Sequence, residues 1–301
     1  MKQVLEYYYS INIDELNNEN DNYYFKYQNE SYYFCFCFRS EEEIDDIINC
    51  QNELVRKGVK TGIIIINNFH KYITTFEETK YILFKISSET EILELEDLLD
   101  FQNKTILLED KKRLYRTNWS ELWSSKIDYI ESQQDMINNN IIIHSALDYY
   151  IGLTENAIYF VRKLLPSYIN ESLVLSHKRT AYPNYALNFY NPLNYIFDLE
   201  VRDVAEYLKC EFFISPEETI KDLSEYLQIK HLSIYSLNML YARLIYPSYF
   251  WDEYEKVINK KKNEIDLLKI INKSNEYETF LKKAYKEISL YAPLEKIAWL
   301  I

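Results

Sequence analysis

Leu173-Val174-Leu175-Ser176-His177-Lys178-Arg179, running on through Thr180 to Asn184, is the stretch whose reading decides the fold. Further on comes Ile196-Phe197-Asp198-Leu199-Glu200-Val201-Arg202-Asp203-Val204-Ala205. The first segment is an apolar strand that breaks into a polar loop led by a histidine. The second is another strand, after which Arg-Asp opens an apolar-periodic helix. A strand, a His-led loop, more strand and a helix with an acid near its start form a compact unit, and the flanking sequence must supply its core.

The flanks divide in two. Residues 1–88 read as β-rich with one helix. Tyr23–Tyr27 and Tyr32–Phe38 form runs joined at Asn29-Glu30-Ser31, a hairpin signal. Ser40 with Glu43 three residues on makes a capping box, and Ile44, Ile47, Ile48, Leu54 and Val55 share the face of the helix that follows. Gly58 suits the left-handed position after its end. Strand runs follow at Gly62–Ile66, Lys71–Phe76 and Tyr81–Ile86, with a turn at Asn67-Asn68. Asn17–Asn22 reads as a polar loop. The expected division is a β-rich lobe over 1–88 and a helical lobe over 89–301, with a hinge at Ser87–Thr90. Expected helices in the second lobe include Glu94–Asn103, one capped by Asn118 with the stripe Trp119, Trp123, Ile127 and Ile130, then Thr154–Leu165 and Asp203–Phe212. Ser215-Pro216-Glu217-Glu218 is a further helix start. Leu232–Ile245, Trp251–Lys262 and Glu276–Leu290 complete the set.

Composition narrows the function. The net charge is −13, and such a surface repels phosphate backbones and anionic lipid headgroups. Neither nucleic acid nor a membrane is expected as a partner. The Lys260-Lys261-Lys262 run reads as a solvated helix face. The four cysteines make no C-x-x-C pair, so no zinc site is expected, and a reducing cytoplasm is the simplest setting. The start of the chain has no long apolar core, and no apolar run is long enough to span a bilayer. Thirty tyrosines beside three glycines point to a coding bias as much as to ligand boxes.

A β-rich lobe, a hinge and a helical lobe with a His-led loop is the protein-kinase-like α+β plan. Several fragments extend the match: Thr117-Asn118-Trp119 with Trp123, Tyr149 to Ile158, Phe197-Asp198 with Val201 to Glu206, and Tyr241 to Pro247. Together they make the chain resemble the kinase-like spore-coat proteins of the CotS and YutH type, which share the fold of aminoglycoside and choline kinases. The resemblance implies a role in the spore coat, with protein partners there, in an organism that sporulates.

An active kinase of this fold needs a glycine-rich turn, a strand lysine, a loop aspartate that accepts the hydroxyl proton and an aspartate that binds Mg²⁺. The first glycine here is Gly58, after the helix. Cys35 and Cys37 stand on the third strand, and the nearest basic residues are Lys26 and Arg39. His177 matches the loop histidine, but Arg179 replaces the catalytic aspartate, and a guanidinium cannot act as a base. Asn184 keeps the spacing of the metal-binding asparagine. The Mg²⁺ aspartate falls at Asn191 or Asn194, both neutral. Arg179 is then expected to pair with Asp198 or Glu200, or to bind an anion. His177 is expected to be structural, Asn184 to stabilise a turn, and Asp203, next to Arg202, to cap the helix it starts.

The first reading is therefore a pseudokinase that acts by binding or assembly, with no cofactor or metal and no confident catalytic residue. The alternative is an atypical small-molecule phosphotransferase that uses Asn184 with Asp198 or Glu200 as a metal pair on one strand face, and Mg-ATP as its cofactor. A third reading is a non-nucleotide binding module in the interlobe cleft.

Overall fold

The computed structural model describes residues 1–19, 22–86, 93–106, 108–133, 141–164, 171–178, 180, 185–259 and 263–300. The expected hinge at 87–90, Arg179, Asn184 and Lys260–Lys262 lie outside the described residues. In chain order the elements are α1 (Lys2–Tyr9), β1 (Asn17–Glu19), β2 (Asn22–Tyr27), β3 (Glu30–Phe36), α2 (Glu41–Arg56), β4 (Ile63–Ile64), β5 (Ile73–Phe76) and β6 (Thr79–Ile86). Then come α3 (Leu95–Thr105), α4 (Trp119–Glu131), α5 (Ile141–Leu164), β7 (Leu173–His177), α6 (Tyr185–Tyr190) and β8 (Tyr195–Leu199). The chain continues with α7 (Val201–Ile214), α8 (Pro216–Ile229), α9 (Ile234–Ile245), α10 (Ser248–Ile258), α11 (Ile265–Asn272) and α12 (Ser274–Ser289). They form two compact units. One is Met1–Tyr115 with Val174–Phe197; the other is Arg116–Leu173 with Asp198–Ile301.

The first unit is built on an antiparallel sheet in the order β1-β2-β3-β6-β4, with β5 also paired to β6. Alternation puts Phe25, Tyr32, Phe34, Tyr81 and Leu83 on one face, where α1 covers them with Leu5 and Tyr9. The capping box at the start of α2 is present in both halves. Glu43 N–H donates to Ser40 Oγ at 3.2 Å, and Ser40 N–H donates to Glu43 Oε2 at 3.1 Å. Gly58 takes a φ of +68° after α2, the left-handed position its sequence suggested. β7 and β8 pair as a separate two-stranded sheet, to which Tyr115 adds a parallel bridge at Phe197.

Several expectations need correction. The N-terminal region holds α1 as well as the one helix expected. Lys2–Tyr9 is short, and its apolar stripe of Val4, Leu5 and Tyr9 hides among tyrosines. Asn17–Glu19 is a strand, not loop. The β2–β3 turn sits at Gln28–Asn29, both with φ near +50 to +63°, the two-residue geometry whose twist matches that of the strands. The register, not glycine, selects this turn.

The second unit is helical. The α4 stripe is as expected, with Trp119, Trp123, Ile127 and Ile130 all buried. Asn118 occupies the N-cap position, but its side chain makes no capping bond. α5 begins at Ile141 and not Thr154, because Ile143, Leu147, Tyr150 and Leu153 continue the stripe of Ala157 and Val161 back through Gly152. α7 begins at Val201, two residues before Asp203, and α11 was not foreseen. From Tyr235 to Ile245, α9 is buried all round, its Arg243 included.

Candidate functional site

The His177 segment is held in the first unit. His177 ends β7 with no exposed surface, packed among Phe101, Phe189 and Tyr195 at centroid distances of 4.9, 4.3 and 5.4 Å. The strands leave this ring an aromatic pocket and no face to solvent. Asn191 Oδ1 accepts the Leu193 N–H at 3.0 Å and so caps a short 3-10 turn over Pro192–Asn194. Asn194 Nδ2 donates to the Asn188 carbonyl at 2.8 Å, and its own carbonyl accepts from Lys178 N–H at 2.7 Å. Both asparagines at the metal-aspartate positions serve the connection between the strands.

Two side chains from the sheet region pin that connection. Arg39 follows β3 and is 8% exposed. Its guanidinium donates to the carbonyls of Leu193 (3.0 Å) and Tyr195 (2.9 Å) and pairs with Glu43 of α2 at 3.0 Å. The basic residue nearest the third strand is thus spent on backbone oxygens and an α2 carboxylate. Gly62 N–H donates to the Tyr190 carbonyl at 2.8 Å. A Cβ there would lie 2.7 Å from that oxygen, so the close approach requires glycine. Thr61 Oγ1 and the Tyr195 hydroxyl are 2.5 Å apart. Burial pushes the Cys35 and Cys50 thiols up to about 12, so both stay protonated as packing groups.

Asp198 opens a different arrangement, in the helical unit. Its carboxylate has no exposed surface. Trp119 Nε1–H donates to its two oxygens at 2.9 and 3.1 Å, Leu199 N–H donates at 2.8 Å, and Arg202 closes an ion pair one helical turn on. Burial raises the Asp198 carboxyl, while Arg202, Arg243 and the two N–H donors pull it back. Arg243 stacks over Trp119, with Cζ 4.5 Å from the ring centroid, and its Nε meets Glu206 at 2.8 Å. Glu206 also pairs with Lys209 at 2.7 Å and accepts from Ser248 Oγ at 2.8 Å. Burial alone would raise Glu206, but Lys209 and Arg243 outweigh it and hold the carboxyl well below its usual range. Burial pushes the Lys209 ammonium down to about 8 against the pull of Glu206. Trp123 completes the floor, stacked on Tyr246 at 4.3 Å.

Sequence reasoning placed Asp198 and Glu200 together on a strand face. The strand ends at Leu199, and Glu200 takes helical dihedrals at the start of α7. Glu200 is half-buried and pairs with Lys230 at 3.6 Å, so the two acids serve different partners. Asp203 lies in the first turn of α7, 1% exposed, rather than at its cap, because the helix starts earlier. Among the described residues no three His, Cys, Asp or Glu side chains gather as a metal site. The network of Glu206, Lys209 and Arg243 was missed, as was the bonding of Arg39 to backbone carbonyls. Its signal was present in Arg243 and Lys209, charges inside stretches too apolar to be exposed, which must therefore find partners.

The α+β architecture is that of the kinase-like phosphotransferases. It is similar to the aminoglycoside phosphotransferase of Alicyclobacillus acidocaldarius, with a TM-score of 0.62 over 92% of this chain and 93% of that one, at 8% identity. It is also similar to the choline kinase LicA of Streptococcus pneumoniae, with a TM-score of 0.51 over 96% and 98% at 13% identity. At such identities the likeness speaks for the fold alone. Residues 2–284 match the family described as "Spore coat putative kinase YutH", and the chain belongs to that family. It is 27% identical over 210 residues to the endospore coat-associated protein YutH of Bacillus subtilis (strain 168), an alignment spanning 60% of this chain and 61% of that protein. Among the described residues no helix is long and apolar enough to cross a membrane.

Proposed function

We propose that this chain is a kinase-fold protein of the spore coat that acts by binding or assembly with protein partners, without transferring a phosphoryl group. The observation that carries this reading is the enclosure of Asp198. Every described acid near the end of the second hairpin strand is engaged. Asp198 is fully buried among Trp119, Leu199 and Arg202, and Glu200 faces Lys230. A carboxylate so engaged cannot bind Mg²⁺ without disturbing its ion pair with Arg202 and its bonds from the Trp119 indole and the Leu199 N–H. Arg39, meanwhile, is committed to carbonyls and could not hold phosphates without releasing them.

The test pairs two measurements on the intact protein. Incubation with labelled ATP, Mg²⁺ or Mn²⁺ and a cell extract should give no label transfer. Millimolar Mg-ATP should leave Tm unchanged, whereas a ligand at 100 times its Kd would stabilise by about 2.7 kcal/mol. Label transfer that is lost in Glu200→Gln, a variant that spares the buried network, would overturn the proposal in favour of an atypical phosphotransferase.

A further inference from the structure

An exposed aromatic patch lies on the first unit, where α1 meets the loop between β4 and β5. Tyr7 is 63% exposed and Phe69 51%. The rings of Tyr7, Tyr8 and Phe69 meet pairwise, at centroid distances of 5.0, 5.5 and 5.6 Å. Ile66, three residues before Phe69, is a further exposed apolar side chain.

The backbone beneath the patch is fixed. Asn67 Oδ1 accepts from the N–H groups of Phe69 and Lys71 at 2.9 and 3.0 Å. Asn68 N–H donates to the Tyr8 carbonyl at 2.7 Å, and Asn68 Nδ2 donates to the Tyr7 carbonyl at 3.0 Å. The loop is thus tied to the last turn of α1, and His70 is held at a φ of +60° within it. Rings held in place before contact lose little conformational freedom on binding, which suits them as interface anchors.

The charges around the patch are divided between its ends. Lys71 is exposed, two residues after Phe69. At the far end of β5, Glu77 and Glu78 form an exposed turn with φ of +46° and +63°. Tyr8 spans the distance, with its ring against Phe69 and its hydroxyl donating to the Thr75 carbonyl at 3.2 Å. Lys80, which follows the turn, belongs to the other face of the sheet, because Tyr81 and Leu83 face α1 and side chains alternate. Its charge acts there on Cys37 and on Glu42 of α2. Among the described residues no ion pair engages Lys71, Glu77 or Glu78.

We infer that this patch is a contact between two copies of the chain related by a two-fold axis. In such a contact the same surface serves both copies, and each residue meets its counterpart's complement. The Lys71 end of one copy falls on the Glu77–Glu78 end of the other, twice over, with the aromatic rings packed between. A net charge of −13 makes two copies repel at long range, so a self-contact needs local pairs of opposite sign. A patch with a base at one end and acids at the other is its own complement. The contact shares no residue with the Asp198 network, so it stands whether or not the chain transfers phosphoryl groups.

Sedimentation equilibrium of the full chain should show a monomer–dimer equilibrium with a Kd of about 1–100 µM, as fits a small, transient interface. Phe69→Ala should raise that Kd about 5- to 30-fold, the effect of removing an aromatic anchor. Lys71→Glu, and separately Glu77→Lys/Glu78→Lys, should each raise it about tenfold or more by setting like charges face to face. The glutamate variant lowers the net negative charge, so bulk repulsion alone would tighten its dimer. Mixing the lysine and glutamate variants should restore a heterodimer near the original affinity, because acid again meets base at both ends. All these side chains are exposed, so the fold does not rest on them. A chain that stays monomeric up to about 1 mM overturns the proposal, whatever other protein the patch then binds. A dimer that these substitutions leave unmoved overturns it as well, as does a mixture of the two charge variants that fails to associate.

Discussion

Replacing Asp198 by Ala tests whether the buried charges are structural. The substitution removes the carboxylate that pairs with Arg202, deprives Arg243 of a nearby negative charge, and leaves the Trp119 and Leu199 N–H groups without their acceptor. Breaking a buried ion pair from one side costs about 3–5 kcal/mol, because the remaining charge is stranded in low dielectric. Orphaned donors add to this but share the same relaxation, so we expect about 3–5 kcal/mol in all. That is a large part of the roughly 5–15 kcal/mol that holds a typical domain. At about 2–4 °C per kcal/mol, the Tm should fall by roughly 6–20 °C. Differential scanning calorimetry reads it directly. The double variant Asp198→Ala/Arg202→Met should recover about 1–3 kcal/mol relative to the sum of the singles, since the stranded guanidinium is gone. A metal-binding acid would behave in the opposite sense, because removing a carboxylate held for function commonly stabilises the apo protein. A loss under about 1 kcal/mol, or strict additivity in the double variant, refutes the structural reading.

Gly62→Ala should cost about 1–3 kcal/mol by urea unfolding, because the new methyl meets the Tyr190 carbonyl at 2.7 Å. Gly58→Ala should cost only about 1 kcal/mol, since its Cβ meets open space and only the positive φ is strained. Equal costs would mean that the approach at Gly62 is not tight. The folded Glu206 carboxyl lies below its unfolded range, so its stabilisation is present above about pH 4.5 and drains as pH falls. Glu206→Gln should start less stable at pH 7 and lose less on acidification, so parallel acid limbs would contradict the assignment. The buried phenols of Tyr150, Tyr195, Tyr226, Tyr241 and Tyr277 are raised by burial, so they favour the fold below pH 10 and oppose it above. Tyrosinate absorbance at 295 nm should therefore rise in a cooperative step above pH 10 that coincides with loss of helix. A smooth titration that precedes unfolding would contradict their burial.

Much of the fold was legible because local signals agreed. The capping box at Ser40, the left-handed Gly58 and the Trp119–Ile130 stripe each rest on one short-range rule, and each is in the structure. What failed was boundary and company. α5 was begun too late, at Thr154, whereas one continuous buried stripe from Ile143 to Val161 carries the helix through Gly152 and overrides propensity. Glu200 was placed on a strand because period-2 reasoning does not see where a strand ends. The candidate site was legible as a list of residues, but not as two clusters. Nothing in sequence spacing says that Trp119 reaches Asp198, or that Arg39 reaches carbonyls near residue 195.

The Arg39 contacts have a consequence for biosynthesis. They join residues 154 positions apart, and the first unit draws its last strands from residues 174–197. A ribosome adding roughly 5–20 residues per second needs about 4–16 s to pass from Tyr115 to Tyr195. Throughout that interval the amino-terminal sheet has emerged without the carbonyls that neutralise Arg39 or the oxygen that receives the Gly62 amide. Those groups of the nascent chain are then satisfied by water, and the speed of translation across α4 and α5 sets how long that incomplete state lasts.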